Sequence, residues 1–186
     1  MRIIRGFKKG KRLLLPDNKN TRPLKDIFKE AIFNILEHSN QIKIKINGSN
    51  VLDLFAGVGS FGLECLSRGA NKVVFFENSN LTLKVLKKNI QNLNYVDKSE
   101  IFEKDLYKKE ALKYAENSFN FVFIDFPFKE TKVFELLCEI KKKKILKKKA
   151  LIIFHRFWKS KDKLPKEFNV LIQKKYSKSK LIIGSF

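Results

Sequence analysis

Two short stretches carry residue types that can do chemistry. The first is DLFAGVGSFGLE, Asp53 to Glu64, where Gly57, Gly59 and Gly62 form a complete G-x-G-x-x-G. It follows an apolar run and leads into a helical pattern, the setting in which such a loop brings backbone against a nucleotide-like ligand. The second is DFPF, Asp125 to Phe128, at the end of another apolar run. An acid, a proline and aromatic rings at one strand end suit a flat base that bears an amine. That amine is a poor nucleophile, because its lone pair is delocalised into the ring. A carboxylate and a backbone carbonyl can accept its N–H groups and turn the lone pair toward an electrophile. A side-chain ring can stack on the base. Position and alignment supply much of such a rate, and stacking contributes roughly 1–3 kcal/mol per base.

The glycine loop by itself suits a dinucleotide as well as S-adenosylmethionine. Asp53, four residues before the first glycine, separates the two. A carboxylate there opposes a pyrophosphate and favours the ammonium of an adenosylmethionine tail. Glu77, twenty residues after Gly57, can take ribose hydroxyls in either cofactor. DFPF has a use in amine methylation and none in hydride transfer, so an NAD-dependent oxidoreductase is the weaker reading. Taken singly, Asp125 could cap the next helix, and Phe126 and Phe128 could be core residues in a chain with 18 Phe.

The elements that must position these motifs follow from periodicity. MRIIRGFKKGKRLLL reads as two short strands around Lys8, Lys9 and Gly10, a small basic hairpin. From Thr21, TRPLKDIFKEAIFNIL becomes helical, with Ile27, Phe28, Ala31, Ile32, Ile35 and Leu36 on one stripe. Strands are expected at Val51–Phe55, Lys72–Phe76, Ile101–Lys104, Phe119–Asp125 and Ala150–Phe154. Helices are expected at Phe61–Ser67, about 80–92, 107–115 and Thr131–Lys142. This alternation predicts an α/β fold, a mostly parallel sheet with helices on both faces. Phe168–Lys175 and Lys180–Phe186 leave no room for a crossover helix and form an antiparallel hairpin. The lysines of KKKKILKKK, 141–149, suit a helix C-terminus. Five parallel strands and a terminal hairpin make a seven-stranded, Rossmann-like class I methyltransferase sheet, whereas a dinucleotide domain continues with a sixth parallel unit.

The 186 residues, 44% of them hydrophobic, suit one compact domain. No run approaches the roughly 18–20 apolar residues of a membrane span, and the N-terminus lacks the pattern of a secretory signal. Cys65 and Cys138 read as core thiols in a reducing cytosol. With two His besides, no metal centre is expected. Net charge is +21, unevenly placed. Residues 1–50 carry +8, residues 51–140 carry −1 and residues 141–186 carry +14. Basic flanks around a neutral middle point to a polyanionic partner such as nucleic acid. Four of the six arginines, Arg2, Arg5, Arg12 and Arg22, fall in the first 22 residues, where a planar fork suits phosphate or base contacts.

The chain resembles the RsmD family, bacterial methyltransferases that modify the exocyclic N2 of one guanine in small-subunit (16S) ribosomal RNA. The resemblance covers MRIIRGFKKGKRL, TRPLKDIFKEAIFNIL, VLDLFAGVGSFGLECLSRGA and FVFIDFPF. A basic hairpin followed by Thr-Arg-Pro and a helix is its specific part. It implies S-adenosylmethionine as cofactor, with Asp53, Phe55, Ala56, Gly57 and Gly59 around the methionine end. Glu77 would hold the ribose, and Asp105 with Leu106 the adenine. Asp125, Phe126, Pro127 and Phe128 would form the target pocket. Arg2, Arg5, Lys8, Lys9, Lys11, Arg12 and Arg22 would contact RNA. Residues 1–48 would be an RNA-contacting extension ahead of a methyltransferase domain, 49–186. The whole would act as a cytoplasmic monomer on ribosomal RNA or the small subunit.

The chain departs from the family in two places. The usual Asp-Pro-Pro-aromatic motif has Phe126 as its second residue, which removes a fixed φ and adds an N–H. Pocket rigidity is altered, and the acceptors remain. Near the end of the fifth strand, where many members carry a glutamate, this chain has His155. Alternative readings are an adenine-N6 methyltransferase on DNA or RNA, and a catalytically weakened RNA-binding assembly factor on the same fold.

Overall fold

A computed structural model describes residues 1–17, 26–106, 108, 111–114, 119–127 and 131–186. Its strands are β1 (Asn50–Leu54), β2 (Lys72–Phe76), β3 (Ser99–Phe102), β4 (Phe119–Asp125), β5 (Leu146–Phe157), β6 (Asn169–Tyr176) and β7 (Ser179–Ser185). The helices are α1 (Asp26–His38), α2 (Ser60–Ser67), α3 (Asn80–Asn92) and α4 (Val133–Lys142). The seven strands form one sheet in the order β3-β2-β1-β4-β5-β7-β6. β1 to β5 run parallel, and β7 is antiparallel to both β5 and β6. This is the Rossmann-like methyltransferase plan. Among the described residues no helix is long and apolar enough to cross a membrane.

Side chains on successive strand residues point to opposite faces. Val51, Phe75, Phe121, Phe123 and Ile153 enter one core cluster, and Leu52, Val74, Val122, Ile124 and Ile152 enter the other. That two-sided burial is why the strands read as unbroken apolar runs. Phe33 of α1, Phe61 of α2 and Phe123 of β4 stack in series, with centroids 5.1 and 4.0 Å apart. Ile3, Leu13 and Ile32 share this cluster with Val51 and Phe61, so the described residues ahead of β1 and the sheet bury one core together.

Four expectations change. The N-terminal stretch makes a single antiparallel bridge, Arg2 to Arg12, in place of two strands. The reason lies in α2. The N–H groups of Ile4 and Arg5 donate to the Glu64 carboxylate at 2.7 and 2.9 Å, and Phe7 N–H donates to the Ser67 carbonyl at 2.8 Å. Ladder bonds from Ile3 N–H to the Lys11 carbonyl, Gly10 N–H to the Ile3 carbonyl and Leu13 N–H to the Met1 carbonyl still close the hairpin, while the Ile4, Arg5 and Phe7 donors go to a helix. Second, β3 runs over Ser99–Phe102, two residues ahead of the expected Ile101–Lys104; Thr21 to Lys25, the expected start of the first helix, lie outside the described residues. Third, the described part of the expected 107–115 helix is a 3₁₀ turn, Ala111–Tyr114. Fourth, α4 ends at Lys142 and β5 begins at Leu146. Lys147, Lys148 and Lys149 therefore belong to a strand. Lys144 at φ 52° and Lys149 at φ 65° break and kink the chain there.

Glu64 is fully buried. Besides the two N–H groups, it pairs with Arg68 Nε at 2.8 Å and Lys29 Nζ at 3.5 Å. Burial pushes the Lys29 ammonium below its usual range, while Glu64 opposes that shift. Removing one partner from such a buried cluster leaves uncompensated charge, which costs about 3–5 kcal/mol. Glu64→Ala is expected to lose that much stability in urea unfolding. A loss below about 1 kcal/mol would show that the cluster does not hold the N-terminal arm.

Candidate active site

The acids singled out in the sequence gather at the carboxyl ends of adjacent parallel strands, where open α/β sheets bind ligands. Leu54 is in register with Phe76 and with Ile124, so Glu77 and Asp125 stand one residue beyond, on either side of Phe55. Asp105 follows three residues after Phe102, the partner of Phe76. Phe55 itself sits at φ 57°. A left-handed phenylalanine costs on the order of 1–3 kcal/mol, and such strain collects at functional sites. It turns the chain sharply out of β1 into the glycine loop.

Asp53 is 1% exposed and accepts the Gly62 N–H at 2.9 Å, in the first turn of α2. Gly62 is required by close packing: a Cβ there would lie 2.4 Å from the Phe75 ring and 2.7 Å from Val73. Glu77 accepts from Gly57 N–H at 2.8 Å through one oxygen, and from Asn78 and Ser79 N–H at 2.9 Å through the other. Its carboxylate shapes the loop, and with about four acceptor sites it keeps capacity for a hydroxyl. Ala56 is buried, its N–H bonded to the Phe76 carbonyl. Leu106 is buried beside Asp105, which is half-buried.

Burial pushes the Asp53 carboxyl well above its usual range. The Gly62 N–H opposes this, and the negative Asp125 and Glu77 add to it. Such a cluster suits a cationic ligand and repels a pyrophosphate. Gly57, at φ 56°, faces open space, with nothing within 4 Å of where a Cβ would stand. The chemistry of these residues fits S-adenosylmethionine. Among the described residues no group of three or more His, Cys, Asp or Glu could hold a metal ion.

On the target side, Asp125 pairs in register with His155 of β5, and its Oδ1 lies 2.8 Å from His155 Nδ1. A carboxylate can only accept, so Nδ1 carries the proton. Phe126 is 2% exposed, its ring packed 5.7 Å from Phe55 and 6.1 Å from Phe154. It fills the core and is not the ring that stacks on a base. Pro127 is exposed, and Phe128 lies outside the described residues. So does Arg22. Arg2, Lys9, Lys11 and Arg12 are exposed on the N-terminal arm around Phe7, which is 84% exposed. Arg5 pairs with Glu37 at 2.7 Å. Lys8 lies 5.8 Å over the Tyr95 ring.

A family model described as Conserved hypothetical protein 95 matches residues 1–185. The chain is 37% identical over 145 residues to the ribosomal RNA small subunit methyltransferase D of Haemophilus influenzae, covering 75% of this chain and 71% of that one. The chain belongs to the RsmD family. It is also 33% identical over 154 residues to YlbH of Bacillus subtilis, covering 82% and 80% of the two chains. The solved structure of the Escherichia coli protein yhhF superposes with a TM-score of 0.81 at 26% identity, over 99% of this chain and 96% of that one.

Against the RsmD pattern, the proline missing at 126 is answered by packing and by Arg156. This nearly buried guanidinium donates Nη1 to the Pro127 carbonyl at 3.3 Å and stands 5.3 Å from the Phe126 ring. Its Nε and Nη2 donate to Asp162 Oδ1 at 3.0 and 2.6 Å, and Ser160 Oγ donates to Asp162 Oδ2 at 2.7 Å. Burial would raise the Asp162 carboxyl, but the hydrogen bonds from Arg156 and Ser160 outweigh it and hold it below its usual range. Sequence reasoning missed Arg156 and Asp162. The visible signal was an arginine in a lysine-rich chain, read as a mark of phosphate contact. The forks of Arg68 and Arg156 instead engage Glu64 and Asp162.

The raised Asp53 carboxyl has a stability consequence. A folded pKa above the unfolded value, about 3.9, means the fold prefers the protonated acid. Stability is present below that value and is lost as pH rises through the folded pKa. Asp53→Asn stays neutral and keeps an oxygen for Gly62. It is therefore expected to melt higher than wild type at pH 8, with the gap closing as pH falls toward about 4, and to bind S-adenosylmethionine more weakly. Thermal melts across pH and calorimetric titration check both. A lower melting point at pH 8 would contradict the burial cost.

Proposed function

We propose that this chain methylates the exocyclic N2 of a guanine in small-subunit ribosomal RNA, with S-adenosylmethionine as donor. It would act in the cytoplasm as a monomer. The observation that carries the reading is the placement of Asp125. It is the last residue of β4, next to the acidic glycine-loop end of β1, with its carboxylate fixed by His155. Family relatives named for the small ribosomal subunit support the RNA assignment, as does the exposed basic arm. The N-terminal resemblance, a basic hairpin followed by Thr-Arg-Pro and a helix, is the ground for preferring guanine N2 over the adenine amine, for which the pocket logic is the same. The packed Phe126 and the Arg156 contact to Pro127 favour an ordered, working pocket over a weakened one.

When bound, the cofactor supplies an electrophilic methyl on a sulfonium. Asp53 and the loop amides would hold its methionine end, and Glu77 its ribose. Asp125 accepts one N–H of the guanine amine, and a carbonyl of the 126–127 backbone accepts the other. The nitrogen lone pair is left directed along the line of displacement. The amine proton becomes acidic only as the new bond forms. Asp125 is placed to accept it, with the His155 N–H stabilising the carboxylate beforehand.

Asp125→Ala is expected to lower methyl transfer to small subunits by roughly 10²-fold or more. Calorimetry should show S-adenosylmethionine affinity within a few-fold of wild type. Transfer at the wild-type rate would remove Asp125 from the mechanism.

A further inference from the structure

The sheet extends past the target pocket on its β5 side, and that rim carries a second aromatic residue among lysines. β5 continues beyond His155 through Arg156 and Phe157 to Trp158, whose N–H donates to the Lys178 carbonyl at 3.1 Å. At about 3.3 Å per residue, Trp158 stands roughly 10 Å beyond His155. Because β4 and β5 are parallel, it lies beyond the same strand ends as Asp125. Ring contacts lead from His155 to β6, the strand that carries Lys175. His155 packs on Phe28 at 4.4 Å, and Phe28 meets Tyr176 edge-on at 5.5 Å. Lys175, the neighbour of Tyr176, sets its ammonium 3.8 Å over the Trp158 indole, and Lys159 lies 5.2 Å from the same ring.

Trp158 is 38% exposed, although indole is among the costliest side chains to leave in water. The charge around it is almost all of one sign. Residues 141–186 carry 16 basic and two acidic side chains. Both acids are neutralised locally, Asp162 by Arg156 and Lys180, and Glu167 by Lys141. Lys159, Lys161, Lys163, Lys174, Lys175 and Lys178 remain exposed. Aromatic faces among cations are the chemistry that holds single-stranded nucleic acid, with bases on the rings and phosphates on the ammonium groups.

We propose that Trp158, with Lys159 and Lys175, forms a second RNA contact: a stacking platform for an unpaired base flanking the target nucleotide. This rests on the RNA reading above and adds to the N-terminal arm a contact on the β5 side of the pocket. The base takes the indole face that the flexible Lys175 side chain now covers, and the displaced ammonium pairs with the adjoining phosphate.

Trp158 is the sole tryptophan in the sequence, so intrinsic fluorescence of the full chain reports on this position. Titration with a mixed-sequence single-stranded RNA 12-mer is expected to quench it saturably, in parallel with filter binding. A duplex of the same length should quench far less. Trp158→Ala is expected to weaken single-strand binding roughly 5- to 100-fold, with unchanged S-adenosylmethionine affinity. Trp158→Phe, which keeps a ring beside Phe157, should recover most of the RNA affinity and controls for misfolding. The Lys159→Ala, Lys175→Ala pair should make the dependence of binding on salt shallower. RNA binding with silent fluorescence, or wild-type affinity in Trp158→Ala, would overturn the platform while leaving the function standing. Absence of RNA binding together with absence of methyl transfer in wild type would overturn both.

Discussion

Helix α2 is held by two carboxylates that water barely reaches. Asp53 binds the Gly62 N–H in its first turn, and Glu64 projects from its middle to gather Lys29, Arg68 and the backbone of the N-terminal arm. All eight residues of the helix are buried, so it has little freedom to shift without moving both partners. On one side the glycine loop is fixed, and with it the acidic strand ends. On the other, the basic arm is fixed to the same element. Asn89 of α3 makes the link twice over. It pairs with both backbone groups of Leu14, at 2.8 and 3.1 Å, and donates to the Val58 carbonyl at 3.1 Å. The proposed RNA-reading arm and the proposed cofactor loop are thus joined through rigid, hydrogen-bonded structure.

β5 organises the other half of the site by simple alternation. His155 and Arg156 are neighbours whose side chains leave opposite faces of the strand. One meets the Asp125 carboxylate and the other meets the Pro127 carbonyl and the Phe126 ring. A single strand end therefore grips the target motif from both sides of the sheet. Charge is divided in the same economical way. The strand ends are acidic, which suits a sulfonium donor, while the arm and the β5–β7 rim are basic, which suits a polyanionic acceptor.

The parts legible in the sequence were those governed by local period and spacing. β2, β4 and α3 have the bounds that alternation and the 3.6-residue stripe predict. The acids at the strand ends were found because a strand's end can be read from its apolar run. What stayed hidden depends on partners distant in the chain. Nothing near Ile4 announces that its N–H bonds to Glu64, sixty residues away. Nothing near Phe126 says that Phe55 and Phe154 will draw its ring into the core. The lysines at 147–149 match a helix terminus as well as an exposed strand, and only the pairing of Leu146 with Phe119 decides between them.

Transfer of labelled methyl from S-adenosylmethionine to small ribosomal subunits that lack the modification, followed by mass-spectrometric mapping of the labelled nucleoside, tests the central claim most directly. The account predicts label in N2-methylguanosine at one site of the small-subunit RNA, dependent on Asp125. Label in N6-methyladenosine, or no transfer by a wild-type protein that binds the cofactor, would contradict it.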